Sequence, residues 1–89
     1  MYSIIYSENC LKQLKKLNKF LKQRIISTIE RLKIRPYSKI KRLAGTSFFR
    51  LRVGNYRVIL DIKNKKLEIH AIEVGPRKKI YKKLFKNKQ

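Results

Sequence analysis

Apolar residues recur with a helical period through the first third of the chain and alternate through the middle. Leu11, Leu14 and Leu17 lie three apart with lysines between them, and Leu21, Ile25, Ile29 and Leu32 form a second stripe with Ile26 beside it. Those spacings predict two amphipathic helices. Ser7, followed by Glu8, is the expected N-cap of the first. Asn18 breaks or recaps the pattern, and the second helix stops before Arg35-Pro36, because a residue preceding proline avoids helical geometry. The pair reads as a helical hairpin or one bent helix packed on a sheet. Upstream, residues 2–6 are rich in β-formers and predict a short strand.

A connecting loop is expected over 37–46, with a basic cluster at Lys39, Lys41 and Arg42, an anchor at Leu43 and a turn at Gly45. Three strands follow, over 48–53, 56–63 and 67–74. Gly54-Asn55 is a two-residue hairpin signal. A second turn falls near Asn64-Lys65, and Gly75-Pro76 ends the third strand. The basic tail over 78–88 carries Ile80, Tyr81, Leu84 and Phe85 at spacings that allow a short docked helix. No repeat or linker interrupts the chain. The expected fold is one α+β domain over 1–89: strand, two helices, three-stranded antiparallel meander and short C-terminal helix, with the helices on one face of the sheet.

The hairpin signal fixes a register. With Gly54 and Asn55 as the loop, Val53 faces Tyr56, Arg52 faces Arg57 and Arg50 faces Ile59. Side chains alternate along a strand, so Arg50, Arg52 and Arg57 share one face with Asp61, Glu68 and His70, and with Ile59 and Ile72 between. The other face carries Phe49, Leu51, Val53, Tyr56, Val58, Leu60 and Ile62. Continuing through a two-residue second turn sets Ile62 against Leu67, Leu60 against Ile69 and Val58 against Ala71. Like charges directly opposite on a sheet cost about 0.2–1 kcal/mol. Three arginines on one face are therefore either a solvated surface relieved by Asp61 and Glu68 or a platform for phosphate. Lysines outnumber arginines 17 to 8 in the chain, yet every cation from Phe48 to Ile62 is arginine, the planar bidentate donor.

Charge narrows the partners. Lysine and arginine total 25 against five acids, for a net charge of +20. Such a field attracts polyanions and strains the compact state, and a nucleic acid or an acidic protein relieves it. Apolar residues still make up 43% of the chain, which favours a folded domain over a disordered basic tail. The single cysteine, Cys10, excludes an intrachain disulfide and reads as a packing residue. No secretory signal and no membrane-length apolar run is present, so the expected location is cytoplasmic.

Five scattered acids do not supply the carboxylate cluster of a two-metal nuclease. One Cys and one His do not make a zinc site, and no glycine-rich phosphate loop is present. A two-histidine acid–base pair is excluded by the lone His70, which reads as a surface or packing residue. No metal and no cofactor is expected. Cations and tyrosine remain. RNA carries its own nucleophile, the 2′-hydroxyl, and a site that aligns it and neutralises developing charge needs no metal.

The residues Leu43-Ala44-Gly45, the stretch Phe49-Arg50-Leu51-Arg52-Val53-Gly54-Asn55-Tyr56-Arg57-Val58-Ile59, then Val74-Gly75-Pro76-Arg77 and Ile80-Tyr81, resemble the RelE/ParE toxin superfamily across nearly the whole chain. The resemblance implies a RelE-type toxin of a type II toxin–antitoxin system: a ribosome-dependent endoribonuclease that cuts messenger RNA in the A site. It implies a neighbouring antitoxin, acidic or amphipathic and helix-rich, that wraps the toxin in a hetero-oligomer. By position it assigns Arg50, Arg52, Arg57, Arg77 and Tyr81 to catalysis. Arg57 and Arg77 would hold the scissile phosphate, Arg50 and Arg52 would orient RNA or assist proton transfer, and Tyr81 would stack on a base or take part in acid–base chemistry. Lys39, Lys41, Arg42, Lys78, Lys79, Lys82 and Lys83 are expected to contact RNA or ribosome backbone. Better-known members of the family carry lysines on the first strand of the hairpin, where this chain has Arg50 and Arg52. Arginine stays protonated, so proton transfer here needs another route, such as Tyr81 or water. The alternatives are a ParE-like toxin acting on DNA gyrase, whose relatives generally lack the full cationic set, and a non-catalytic basic RNA-binding module.

Overall fold

The structure is a computed structural model that describes residues 1–86, with side chains through residue 83. The side chains of Leu84 and Phe85, and the tail residues 87–89, lie outside the described residues. Both helix caps form where the polar residues interrupt the apolar stripes. Ser7 Oγ accepts the Cys10 N–H at 3.0 Å and starts α1 (Glu8–Lys15). Asn18 Oδ1 accepts the Leu21 N–H at 2.9 Å and starts α2 (Lys19–Glu30). The helices are thus a hairpin and not one bent rod. A 3₁₀ turn over Arg31–Lys33 ends the second helix ahead of Pro36.

The strands are β1 (Ser3–Tyr6), β2 (Ile40–Arg42), β3 (Phe49–Val53), β4 (Tyr56–Lys63) and β5 (Glu68–Pro76), and α3 (Arg77–Lys86) follows directly. They form one sheet in the order β1-β5-β4-β3-β2. β1 runs parallel to β5 and every other neighbour is antiparallel. α1 lies against β5 and α2 against β3 on one face. There Cys10, Leu14, Ile25, Ile29 and Leu32 close on Leu51, Val53, Val58, Leu60, Ile69, Ala71 and Val74. The α+β architecture, with α1 and α2 on one face of the sheet, is as the alternation predicts.

Four details differ from the sequence expectation. The loop over 37–46 contains β2, a three-residue strand paired with β3 (Ile40↔Leu51, Lys41↔Arg50, Arg42↔Phe49). It is short and basic, as protected sheet edges are. The second turn takes four residues, not two: Asn64–Lys66 make a 3₁₀ turn and Leu67 adopts the left-handed conformation at φ 53°. Leu67 N–H closes the turn onto the Asn64 carbonyl at 3.2 Å. The pairing therefore shifts to Ile62↔Ile69 and Leu60↔Ala71, an even displacement that preserves the faces. A β-bulge then inserts Ile72, so Val58 meets Val74 and not Ala71. Finally, Gly75-Pro76 does not stop the strand; Gly75 pairs with Arg57 and Pro76 with Tyr56.

Ser7 serves twice, because its Oγ also donates to the Ile72 carbonyl at 2.7 Å and ties the start of α1 to the bulge. Ser7→Ala is expected to lower stability by about 1–2 kcal/mol, the loss of a cap and a tether together. The shift of the urea midpoint at constant m-value measures it.

Candidate functional site

The β3–β4 hairpin forms in the expected register: Val53↔Tyr56, Arg52↔Arg57 and Arg50↔Ile59. Gly54 holds φ +58°, a value that strains an L side chain, and an added Cβ would lie 3.1 Å from Arg24 Nη1. Arg50, Arg52 and Arg57 rise from the face away from α1 and α2, and β2 sets Lys41 beside Arg50 on that face. Arg77 opens α3, and its N–H donates to the Asn55 carbonyl at 3.0 Å, which pins the helix to the hairpin turn. One helical turn on, the Tyr81 ring lies 5.8 Å from the Arg77 guanidinium carbon, in cation–π contact. Lys39, Lys41, Arg50, Arg52, Arg57, Arg77 and Tyr81 line one cleft of about 620 Å³.

Among the described residues, no carboxylate lines this cleft. The ion pairs among the described residues are Lys33–Glu30, Lys63–Asp61, His70–Glu68 and Lys83–Glu73. Asp61 and Glu68, the acids sharing the arginine face, are thus engaged by Lys63 and His70, and none of the four pairs contains an arginine. Arg57 is the extreme case. It is only 6% exposed, its Nη1 donates to the carbonyls of Gly54 (3.0 Å) and Tyr56 (2.9 Å), and its Nε has no protein partner. Buried charges are ordinarily paired with an opposite charge, and an orphaned donor costs about 1–3 kcal/mol. An anion seated in the cleft would offset the guanidinium charge.

The structure sorts the other basic residues. Arg42 turns away, its guanidinium 6.0 Å from the Phe49 ring centre and its Nε donating to the Thr46 carbonyl at 3.3 Å. Lys79 and Lys83 face a different cavity, between α1 and α3, and Lys83 Nζ binds Glu73 at 2.8 Å. Lys78 and Lys82 are exposed on α3 outside the cleft. His70 pairs with Glu68 at 3.1 Å and sits opposite Asp61, four positions along β4 from Arg57. Cys10 is fully buried, and burial, aided by Glu73, pushes its thiol up to about 11. It packs and does not attack. Among the described residues, no three His, Cys, Asp or Glu side chains converge.

A family model described as the ParE toxin of the type II toxin–antitoxin system parDE matches residues 4–81. The chain belongs to the RelE/ParE toxin superfamily. Solved structures agree with that membership. The toxin is similar to a chain of the archaeal RelE–RelB complex from Pyrococcus horikoshii OT3, at 26% identity over 85% of this chain and 94% of that one, with a TM-score of 0.76. It is similar to a chain of the RelB–RelE antitoxin–toxin complex from Methanococcus jannaschii, at 26% identity over 88% and 95%, with a TM-score of 0.70. A chain of the intact E. coli RelBE toxin–antitoxin complex shares the fold at 19% identity over 85% and 96%, with a TM-score of 0.76. No curated protein sequence matches. Among the described residues of the toxin, no helix is long and apolar enough to cross a membrane.

Sequence reasoning missed how the toxin holds α3 in place. Past the bulge Glu73 pairs with Ile59, and its carboxylate accepts from Asn9 Nδ2 (2.6 Å), Gln13 Nε2 (3.0 Å) and Lys83 Nζ (2.8 Å), which joins α1 to α3. Gln13 Oε1 in turn accepts the Val74 N–H at 2.7 Å. Ile80, 3% exposed, fills the space that Gly75 leaves open, where a Cβ would stand 3.2 Å from its Cδ1 and Cγ1. Arg77 and Tyr81 are therefore aimed from the rear face of their own helix. The glycine before Pro76 was the one available signal, since an invading side chain needs a residue without Cβ.

Proposed function

We propose that the toxin is a metal-independent endoribonuclease that cuts messenger RNA in the ribosomal A site and is held inactive by a cognate antitoxin. One observation carries the reading: a cleft that, among the described residues, is lined by cations and a tyrosine and holds a buried arginine with no carboxylate partner. In this reading Arg57 and Arg77 grip the scissile phosphate from two sides and stabilise its growing negative charge. Preorganised donors of this kind contribute about 10²–10³-fold each. Arg50 and Arg52 orient the strand, and Tyr81 stacks on a base. A cation-lined cleft repels a divalent metal, so the nucleophile comes from RNA itself: the 2′-hydroxyl attacks the adjacent phosphorus. Residues 1–89 act as one toxin domain in the cytoplasm. The RelE–RelB complexes among the structural relatives support an antitoxin partner, and a net charge of +20 suits an acidic one.

The description of the matching family model as ParE favours a second reading, a toxin that arrests DNA gyrase through protein contacts. That activity needs no concentration of arginines in a cleft. Purified toxin added to ribosomes programmed with a defined A-site codon separates the two. Cutting of the message only when ribosomes are present is the expected result. Intact message together with arrested supercoiling by gyrase would overturn it.

A further inference from the structure

The cleft holds many charges and few groups that can exchange a proton. Four of its seven lining residues are arginines, which stay protonated at any working pH. His70 lies off the cleft with Glu68, and no carboxylate among the described residues lines it. Lys39, Lys41 and Tyr81 remain. Of the two lysines, Lys41 is the better held: it lies within β2 opposite Arg50, with Ile40↔Leu51 and Arg42↔Phe49 fixing the ladder on either side, whereas Lys39 lies in the bend before the strand. Groups carried on regular elements are positioned more tightly than those on loops. The Tyr81 ring is held against the Arg77 guanidinium.

We propose that Lys41 takes the proton from the attacking 2′-hydroxyl. The proposal rests on the ribonuclease reading. β2 stands two strand spacings from β4, about 10 Å across the sheet, so a nucleotide fits between the Lys41 amine and a phosphate gripped by Arg57 and Arg77. In the step itself, the neutral amine accepts the 2′-hydroxyl proton while the O2′–P bond forms and the P–O5′ bond breaks. The departing 5′-oxygen takes a proton from water, and the Lys41 ammonium returns its proton to the hydroxide left behind. The products are a 2′,3′-cyclic phosphate and a 5′-hydroxyl, with no metal and no added nucleophile. The groups facing Lys41 are Arg50 and Arg52 of β3, Arg57 of β4, Arg77 and Tyr81 of α3, and Lys39 on its own approach. Of these, only Lys39 and Tyr81 could substitute for it.

The test is single-turnover cleavage by the full chain on programmed ribosomes, followed from about pH 6 to about pH 9. Wild-type cleavage should rise with pH, its logarithm climbing with a slope near one. Lys41→Arg keeps the charge and removes the titrating amine. It should lower the rate about 100-fold, the usual scale of general-base catalysis, and flatten the slope, with ribosome binding within about threefold of wild type. Lys39→Arg and Tyr81→Phe should keep the slope. A Lys41→Arg variant with unchanged rate and slope overturns the assignment, as does a slope lost in Tyr81→Phe or Lys39→Arg instead. A wild-type chain that cuts no message fails the ribonuclease reading and this step with it; a wild type that cuts alongside an unaffected Lys41→Arg fails this step alone.

Discussion

Arg57→Leu is expected to make the toxin more stable and at least about 100-fold less active. Arg57 is a buried cation with no carboxylate beside it, an Nε without a protein partner and Arg52 directly across the ladder. The open donor costs about 1–3 kcal/mol, and the opposed like charge adds about 0.2–1 kcal/mol. Against this stand two hydrogen bonds to the carbonyls of Gly54 and Tyr56. Gly54 is exposed at the turn, so water replaces that bond when the guanidinium is removed. Exchanging buried charge for a hydrophobic side chain of similar volume is often neutral or stabilising, and the net expectation here is a gain of about 1–2 kcal/mol. Activity moves the other way, because the donor that would meet the phosphate is gone. Urea unfolding and single-turnover cleavage measure the two effects on one preparation. A variant that is both less stable and fully active would show that Arg57 is structural.

The second large effect is expected at Gly75. Its absent Cβ makes room for Ile80, whose Cδ1 and Cγ1 would both lie 3.2 Å from an alanine methyl. Valine at this position adds bulk where none fits, so Gly75→Val should overpack the joint at a cost of about 1–3 kcal/mol and push α3 off the sheet. Arg77 and Tyr81 ride on that helix, and a displacement of about 1 Å at a reacting centre can cost about 10²-fold in rate. Cleavage should fall by that order. The milder Gly75→Ala should lose less, and shortening the neighbour in Gly75→Ala/Ile80→Val should restore part of the rate. A double-mutant cycle should return a coupling of about 1 kcal/mol between the two positions. Additive losses would mean that Gly75 and Ile80 do not act through each other.

Local chemistry made much of this molecule legible from residues alone. Ser7 and Asn18 cap helices because a short polar side chain reaches the first free N–H groups. Gly54-Asn55 sets a two-residue hairpin because the turn needs a residue tolerant of positive φ. From that single turn the cross-strand pairing of Arg52 with Arg57 follows. What escaped were features decided by distant contacts. Ile40-Lys41-Arg42 has too little apolar content to read as a strand, and only pairing with β3 makes it one. Nothing in Asn64-Lys65-Lys66-Leu67 signals a left-handed leucine. Hydroxyls of Tyr2 and Tyr37, remote in sequence, hold Asn64 Oδ1 at 2.8 and 3.0 Å. The bulge at Ile72 is likewise legible only once Ser7 is seen to use it.

The same division runs through the candidate site. Alternation placed Arg50, Arg52 and Arg57 on one face, but it made all three surface groups. Burial of Arg57 depends on the turn carbonyls and on α3 arriving alongside, which no local pattern encodes. Lys41 enters the cleft because its strand pairs with β3, whereas Arg42, next in sequence, is drawn off by Phe49 and the Thr46 carbonyl. On α3, helical spacing divides Arg77 and Tyr81 from Lys79 and Lys83, so a basic tail that looks uniform in sequence serves two different surfaces.

The central claim is that the cleft cuts RNA by turning the substrate's own 2′-hydroxyl on its phosphate. A message carrying one 2′-deoxynucleotide at the A-site cutting position tests it most directly, with ribosomes programmed identically and the ends of any fragments identified. The expected result is no cutting at the modified position, with toxin binding to the ribosome unchanged and a 2′,3′-cyclic phosphate on the product of the unmodified message. Cutting of the deoxy-substituted message at the same position and a comparable rate would contradict it.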